Sequence, residues 1–146
     1  MIEADAFEVR IARWPEDSLA IREVREAVFV VEQRVAAKLE WDGLDEECTH
    51  ALALTADGIP VGTGRLAPDG KIGRMAVLRE YRGRGIGEAI LKCLLDVVRD
   101  RNLPRCYLHS QTHALGFYTR HGFVAHGPEF DEADIPHREM VLEADA

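Results

Sequence analysis

The sequence predicts a mixed α/β fold, in which antiparallel strands come first and a helix crossover follows. Short segments of alternating apolar and polar residues fill the first half of the chain. Two Asp-Gly pairs, Asp57-Gly58 and Asp69-Gly70, separate three of these segments as hairpin turns would. A long amphipathic pattern then begins at Ile86, and further short strand patterns come after it. Together these observations predict strands and helices in one mixed sheet architecture.

The chain begins with a predicted strand and a predicted helix. Apolar residues alternate over residues 7–14, which indicates a first strand. A helix capped by Asp17 or Ser18 follows. The residues of this helix predicted to face the core are Leu19, Val24, Val28 and Val31. The acidic segment 32–49 has no regular period, so we expect it to be part helix and part loop.

Three further strands are predicted to form an antiparallel meander. They cover residues 50–55, 59–67 and 71–78. A basic, glycine-rich segment then leads into a long helix, which is expected to end near Asn102, before Pro104. The core face of this helix is predicted to carry Ile86, Ile90, Leu94 and Val97, widened by Leu91, Leu95 and Val98.

The last third of the chain is predicted to add three strands and one short helix. The helix, over residues 112–122, is expected to end at Gly122. The strands are predicted over residues 105–110, 123–127 and 137–143. Alternation in the final strand is typical of an edge or half-buried position.

Composition narrows the classes of function. Eighteen basic and 26 acidic residues give a formal net charge of −8, which argues against general binding to nucleic acid or to an anionic membrane. No apolar stretch approaches the roughly 20 residues of a membrane span, and no secretory signal pattern is present. Cys48, Cys93 and Cys106 match no zinc pattern, so we expect reduced thiols and a cytoplasmic protein. No linker or repeat divides the chain, and residues 1–146 are predicted to form a single domain.

The most informative segment is the glycine-rich turn before the long helix. It combines three arginines and three glycines: Arg79, Arg82, Gly83, Arg84, Gly85 and Gly87. Glycines let a ligand approach the backbone, a helix N-terminus offers unpaired N–H groups, and guanidiniums bind phosphate. The alternative is a tight turn with incidental arginines. The combination favours a phosphate-binding site.

Two common nucleotide motifs do not fit this chain. A P-loop needs Gly-Lys-Ser/Thr, which is absent from the sequence. A dinucleotide fingerprint that starts at Gly83 or Gly85 meets Glu88 or Ile90 where its last glycine should stand. A second match to the dinucleotide pattern starts at Gly62, but it lies in an extended segment with no helix after it.

Residues 82–87, RGRGIG, resemble the acetyl-CoA signature of the GNAT N-acetyltransferase superfamily, Q/R-x-x-G-x-G/A. Residues 74–77, RMAV, resemble that family's central strand, and residues 117–123, FYTRHGF, resemble its later motif F-Y-x-x-x-G-F. Further positions resemble the small bacterial ElaA-like branch: Val28, Phe29, Val30, Glu32, Gln33, Asp42, Asp45, His50 and His137. The resemblance implies the GNAT fold, a mixed, mostly antiparallel sheet flanked by helices on both faces.

The resemblance also implies an activity, the transfer of an acetyl group from acetyl-CoA to a primary amine of a small molecule or peptide. The amine would attack directly in a ternary complex. In this family, backbone groups of the central strand bind the pantetheine arm and polarise the thioester carbonyl, a role that falls on Met75 and Val77. The glycine-rich turn would hold the pyrophosphate. The residues implied to bind acetyl-CoA are Met75, Ala76, Val77, Arg79, Arg82, Gly83, Arg84, Gly85, Ile86, Gly87, Gln111 and Tyr118.

Tyr118 matches the family tyrosine that protonates or stabilises the leaving thiolate. A phenol with an ordinary pKa of about 10 is protonated at neutral pH and can donate a hydrogen bond. The alternative is an aromatic residue of the core. Both can hold, because Phe117 and Phe123 suffice for the core and Tyr118 can point elsewhere. Gln111 stands where many family members carry Asn, so the amide is one methylene longer here.

The general base is the least determined part of the site. The family's strand carboxylate is missing, because residues 71–74 read KIGR. The candidates are Glu32, Glu40, Asp42, Asp45, His50 and His109. Glu32 is favoured because it follows a helix expected to end near the acceptor cleft, and His50 because an imidazole titrates near neutral pH. The alternatives are surface carboxylates, a histidine bonded to backbone, or a base supplied by solvent.

The acceptor and the partners are only broadly constrained. The acidic segment 40–47 favours a cationic amine, and the loops predicted at 32–49 and 127–136 would set selectivity. His109 and His113 are four residues apart but not on a helix, so no metal site is expected. A homodimer is common among domains of this family. Two other functions remain open: a non-catalytic acyl-CoA-binding module, and a phosphate-binding fold for another nucleotide.

Overall fold

The computed structural model describes residues 6–142. The strands are β1 Phe7–Ile11, β2 Thr49–Thr55, β3 Pro60–Leu66, β4 Lys71–Val77, β5 Tyr107–Gln111, β6 Phe123–Glu132 and β7 Ile135–Leu142. The helices are α1 Ser18–Arg25, α2 Ala37–Glu40, α3 Ile86–Asp100 and α4 Leu115–Thr119. A π-helical segment, Glu26–Glu32, continues α1 directly.

The seven strands form one mixed sheet in the order β1-β2-β3-β4-β5-β7-β6. Every pair of neighbours is antiparallel except β4 and β5, which are parallel because the α3 crossover connects them. The predicted meander is β2-β3-β4, and both of its turns contain a left-handed glycine, Gly58 and Gly70. The predicted mixed α/β class with a mostly antiparallel sheet is therefore confirmed.

Helices cover both faces of this sheet. α3 packs across β1 to β4 on one side, which we name the α3 face, and α4 joins the same apolar core. α1 packs on β3 and β4 from the other side, the α1 face. Gly62 and Gly64 of β3 let α3 approach closely, because a Cβ at Gly64 would lie 2.8 Å from Ile90. The core of the α1 face consists of Val24, Val28, Phe29, Val35 and Ala76.

The predicted core stripe of the first helix is wrong at both ends. Leu19 and Val31 are 74% and 69% exposed. The buried residues are Ile21, Val24, Arg25, Val28 and Phe29. These fall at i, i+3, i+4, i+7 and i+8, which is the true apolar face of the helix. Asp17 precedes α1 as predicted, but its carboxylate binds Arg10 instead of capping the helix.

The segment predicted as a loop over residues 127–136 is a β-hairpin. β6 continues to Glu132, and the hairpin turns through Ala133 and Asp134, which both have left-handed backbone angles. The pairing of β6 with β7 is irregular between His126 and Phe130. A glycine and a proline at that irregularity hide the strand pattern in the sequence.

Candidate functional site

The central feature of the molecule is a cleft between β4 and β5. The two strands pair only at Lys71 with Tyr107 and at Ile72 with Leu108. Beyond Ile72, β4 keeps its pairing with β3, and β5 keeps its pairing with β7. One edge of β4 is therefore without a strand partner within residues 6–142. Such an edge offers backbone donors and acceptors to an extended ligand.

A β-bulge shapes the inner end of the cleft. Thr63 pairs with Ala76, whereas Arg65 pairs with Gly73, so β4 has one more residue than β3 over this stretch. The bulged residue Arg74 has a left-handed φ of 52°. Its side chain lies on the α1 face, while the next residue returns to the α3 face. At Gly73 no atom lies within 4 Å of the position that a Cβ would take, so the cleft is open there.

The glycine-rich turn lies at the outer end of the same β4 edge. Gly83 and Gly85 have φ angles of 79° and 83°, a region that other residues rarely adopt. No atom lies within 4 Å of a Cβ position at either glycine. Gly85 is the N-cap of α3, and the buried Ile86 anchors the first turn of this 15-residue helix. The open turn thus presents helix N–H groups and the positive end of the helix dipole.

The two regions of the sequence that carry the strongest motifs converge at this turn. A Cβ at Gly87 would lie 3.7 Å from the ring of Phe117 and 3.9 Å from Val77. Phe117 belongs to α4, so α4 lies against the N-terminus of α3. The residues predicted to bind the cofactor on β4, on the turn and on α4 are thereby brought together around one cleft.

Arg82 links the turn to the end of the π-helical segment. Its Nε donates to the backbone oxygen of Val77 at 2.9 Å, and its two terminal nitrogens bind the carboxylate of Glu32 at 2.7 Å each. The hydrogen bond from Arg82 lowers the pKa of Glu32 below its usual value. Glu32 is near the cleft as predicted, but its carboxylate is occupied by this ion pair, which makes it a weaker proton acceptor.

Tyr118 of α4 is a buried residue. It is 9% exposed and packs edge-on against Phe123 in the main core, whereas Phe117 is only partly buried. Tyr118 therefore contributes to the core itself, and α4 turns Phe117 toward the N-terminus of α3. Burial raises the pKa of Tyr118 to about 12. The phenol is consequently a neutral hydrogen-bond donor over the whole physiological range.

Gln111 lies at the end of β5, on the opposite side of the cleft from β4. Its amide nitrogen donates to Gln33 at 2.9 Å, and its amide oxygen accepts from Nε2 of His113 at 2.6 Å. Gln33 follows the π-helical segment on the α1 face. The paired amides fix the position of Gln111 relative to the segment that ends at Glu32.

Three arginines and three carboxylates form a closed ring on the α1 face. Neighbouring nitrogen and oxygen atoms in it are 2.6 to 3.3 Å apart. In order around the ring, the members are Arg25, Glu40, Arg74, Asp42, Arg65 and Asp45. The acidic residues of segment 40–47 that face the protein are thus neutralised, so they give no electrostatic preference for a cationic acceptor.

His50 lies beside this ring and away from the cleft. It is 2% exposed, stacks on Trp14 and donates through Nε2 to the backbone oxygen of Asp45 at 2.9 Å. Burial lowers the pKa of His50, so its imidazole stays neutral. His50 is on β2, two strands from β4, which corresponds to about 10 Å. The structure brings Glu32, but not His50, to the cleft.

Two further observations concern metals and membranes. Within residues 6–142, no group of three or more histidine, cysteine, aspartate or glutamate side chains is arranged to hold a metal ion. Over the same residues, no helix has both the length and the apolar character needed to cross a bilayer.

Known proteins resemble this chain in both sequence and structure. Residues 17–144 match the family model of the acetyltransferase (GNAT) domain. YjcF of Bacillus subtilis, an uncharacterized N-acetyltransferase, is 39% identical over 122 residues, which are 81% of this chain and 86% of YjcF. An acyl-CoA N-acyltransferase from Pseudomonas aeruginosa has a TM-score of 0.80 and 30% identity, over 94% of this chain and 98% of that one.

ElaA of Escherichia coli is a further structural neighbour. Its TM-score is 0.79 at 27% identity, and the match covers 94% of this chain and 99% of ElaA. The family match covers most of the chain, and the cleft, the bulge and the glycine-rich turn all lie within it. The chain therefore belongs to the GNAT acetyltransferase family, and its neighbours place it in the ElaA-like branch.

Proposed function

We propose that the protein is an acetyl-CoA-dependent N-acyltransferase, which transfers an acetyl group to a primary amine of a small molecule or peptide by direct attack in a ternary complex. The observation that carries this proposal is the free edge of β4 beyond Ile72, which leads straight to the open N-terminus of α3. The free edge can bind an extended thioester arm, and the helix N-terminus can bind a phosphate group at the far end of that arm. Membership of a family of acyl-CoA transferases supports it.

The two ends of acetyl-CoA would be held by different parts of the chain. Backbone groups of Met75, Ala76 and Val77 on the free edge would bind the pantetheine arm and polarise the thioester carbonyl. The pyrophosphate would lie on the turn, where glycine conformation and helix N–H groups favour an anion. The residues proposed for this second role are Arg79, Arg82, Gly83, Arg84, Gly85, Ile86 and Gly87.

Tyr118 and Gln111 would act near the sulfur end of the arm. A phenol whose pKa is about 12 is a weaker acid than a thiol, whose ordinary pKa is about 8.5. Tyr118 would therefore stabilise the departing thiolate by donating a hydrogen bond, and it would keep its proton. Gln111, which is fixed by its hydrogen bond to Gln33, would line the cleft on the β5 side.

The direct test is a transfer assay that measures thiol release from acetyl-CoA in the presence of individual amines. A broad panel of small amines and short peptides is appropriate, with product masses read by mass spectrometry. We expect thiol release that requires an amine and a product that is heavier by one acetyl group. Tight acetyl-CoA binding without transfer to any amine would contradict the proposed activity.

The proposed setting is the cytoplasm, where the three cysteines would remain reduced. Cys48, Cys93 and Cys106 are all free thiols in the structure. Burial raises the pKa of the Cys106 thiol to about 11, which makes it unreactive. A homodimer, common in this family, stays a prediction that sedimentation can test.

A further inference from the structure

A row of side chains crosses the α1 face of the sheet from the inner end of the cleft. β4 and β5 are last paired at Ile72 and Leu108, so Gly73 and His109 are the first residues on either side of the opening. Ile72 and Leu108 belong to the core of the α3 face, which places Gly73 and His109 on the α1 face. Through the register of β5, β7 and β6, the row continues from His109 to Glu139 and His126.

His109 is held in a defined orientation. Its Nδ1 lies 3.0 Å from a carboxylate oxygen of Glu132, and the ring of Phe130 meets it edge-on with centroids 5.1 Å apart. Because a carboxylate only accepts hydrogen bonds, the proton of a neutral His109 lies on Nδ1. Nε2 then has a free lone pair. An imidazole oriented by a carboxylate in this way is the usual arrangement of a proton acceptor.

Glu132 is well suited to hold that orientation. Burial raises the pKa of its carboxyl group. The hydrogen bond from His109 and the nearby Lys71 and His137 lower this pKa by more than burial raises it, so the net shift is downward. Glu132 therefore stays ionised at neutral pH. His137 is fixed separately, because its Nδ1 donates to the backbone oxygen of Ile135 at 2.6 Å.

The charged groups around His109 come from each neighbouring strand. Lys71 lies on β4, Tyr107 on β5 itself, Glu132 and His126 on β6, and His137 and Glu139 on β7. The guanidinium of Arg105, just before β5, lies 3.9 Å from the other carboxylate oxygen of Glu139. A carboxylate oxygen of Glu139 lies 3.7 Å from Nε2 of His109. The lone pair of His109 is thus next to a second, separate carboxylate.

Glu139 also lines a cavity of about 300 Å³. The other lining residues are His126, Gly127, Pro128 and Phe130. A carboxylate and an aromatic ring in one shallow, open cavity are favourable for an ammonium group. The cavity and the free side of the His109 imidazole share Glu139, so an ammonium bound at Glu139 is within reach of Nε2.

We propose that His109, oriented by Glu132, accepts the proton of the amine substrate, and that this substrate is a compact amine bound as an ammonium at Glu139. The inference rests on the acetyl-CoA-dependent activity proposed above. His109 on the α1 face and Tyr118 on the α3 face would serve the nucleophile and the leaving group from opposite sides of the cleft.

The bound ammonium gives one proton to Nε2 of His109, which passes it to solvent. The neutral amine nitrogen then bonds to the thioester carbon, the carbon–sulfur bond breaks, and the excess proton on nitrogen moves to Nε2. The thiolate, hydrogen-bonded by Tyr118, takes a proton from water on release, and His109 returns its proton to solvent. One proton is released for each ammonium acetylated.

The test compares two amines with the same carbon skeleton, ethylamine and trifluoroethylamine. Only the first is an ammonium at neutral pH. The excess proton on the attacking nitrogen of the second is acidic enough to be lost to water, so only ethylamine needs an efficient proton acceptor. We expect His109→Gln to lower kcat/KM for ethylamine by about 100-fold and that for trifluoroethylamine much less. Glu132→Gln should lower kcat for ethylamine by roughly 10-fold, through lost orientation of the imidazole. Glu139→Gln should raise KM for ethylamine alone.

The matched control is Asp131→Asn, which changes the neighbouring exposed carboxylate on the opposite face of β6 and should leave all rates unchanged. Acetyl-CoA binding, measured by calorimetry, should be unaltered in every variant. The wild-type rise of kcat/KM with pH through one ionisation should disappear in His109→Gln.

Four results would overturn the inference. Wild-type rates and an unchanged pH profile in His109→Gln would remove His109 from proton transfer. Equal losses with both amines would reduce its role to structure. Transfer to large amines but not to ethylamine would exclude the compact acceptor and leave the proposed activity intact, whereas no transfer to any amine would overturn both.

Discussion

Two adjacent residues, Gly73 and Arg74, shape the inner end of the cleft. Arg74 has a left-handed backbone conformation that is uncommon for a residue with a side chain. Its guanidinium binds Glu40 and Asp42 as part of the six-membered charged ring on the α1 face. These contacts hold the bulge in place. Gly73 leaves open the space that any side chain would fill. The bulge therefore opens the cleft, and the charged ring on the α1 face holds it open.

At this scale Tyr118→Phe tests the leaving-group role. We expect kcat to fall by about 100-fold, because one donor to a developing negative charge is removed. The dissociation constant of acetyl-CoA should change little, since the aromatic ring and its packing on Phe123 are retained. Steady-state kinetics and calorimetric binding separate the two effects. Wild-type kcat in the variant would exclude Tyr118 from the chemistry.

Glu32→Gln distinguishes a positioning role of Glu32 from a role as general base. Because the carboxylate is taken up by two hydrogen bonds from Arg82, we expect kcat at saturating acetyl-CoA to stay within about twofold of wild type. Any change should appear in acetyl-CoA affinity, through the geometry of the turn. A drop of about 100-fold in kcat with a lost acidic ionisation would instead identify Glu32 as the base.

Among the elements, the meander and the turn before α3 were the most predictable from sequence. Asp-Gly turns, period-two strands and a long amphipathic stripe are local signals, so β2, β3, β4 and α3 follow from them. The β6–β7 hairpin was predicted only in part, as strands over residues 123–127 and 137–143, because Gly127 and Pro128 interrupt the pattern of β6. The pairing of His109 with Glu132 could not be predicted either, since sheet register joins residues 23 positions apart.

The two meander turns provide a matched test of element packing. Gly58 and Gly70 both have left-handed φ angles, but a Cβ at Gly70 would lie 1.9 Å from the backbone oxygen of Arg105, while Gly58 faces open space. Gly58→Ala should lower the free energy of unfolding by about 1 kcal/mol, from backbone strain alone. Gly70→Ala should lower the free energy of unfolding by at least about 2 kcal/mol more than Gly58→Ala, because the backbone at Arg105, just before β5, must move. Equal costs in urea unfolding would contradict the close approach.

At the scale of the whole molecule, the charged ring links α1, α2 and the sheet. Arg65 on β3 binds Asp42 and Asp45, and Arg25 on α1 binds Asp45 and Glu40. Burial tends to raise the pKa of both aspartates, but hydrogen bonds from the arginines outweigh it and lower the pKa values. An acidic chain thus uses part of its negative charge inside the fold.

This ring predicts acid-sensitive stability. The folded-state pKa values of Asp42 and Asp45 lie below the value of an ordinary carboxyl group, which is about 4. The two carboxylates therefore stabilise the fold above about pH 4, and this stabilisation is lost as the pH falls below that value. Asp42→Asn should lower the free energy of unfolding by about 2 kcal/mol near neutral pH, between the values for exposed and buried pairs.

The difference between Asp42→Asn and wild type should shrink at about pH 3, because protonation of Asp42 in the unfolded chain then removes part of the stabilisation. Urea unfolding at both pH values provides the comparison. The exposed substitution Glu23→Gln on α1 is the control and should follow the wild type. An unchanged difference at acid pH would show that the ring contributes through packing alone.

The most direct test of the central claim is a calorimetric titration with acetyl-CoA, with ATP and NAD as controls. It should include Gly85→Asp and the matched variant Gly58→Asp, since both glycines have nearly the same φ and face open space. We predict a dissociation constant on the order of micromolar for acetyl-CoA alone, retained in Gly58→Asp and lost in Gly85→Asp. Absence of binding, equal binding of ATP, or unchanged affinity in Gly85→Asp would contradict the assignment of the cleft and its turn to acetyl-CoA.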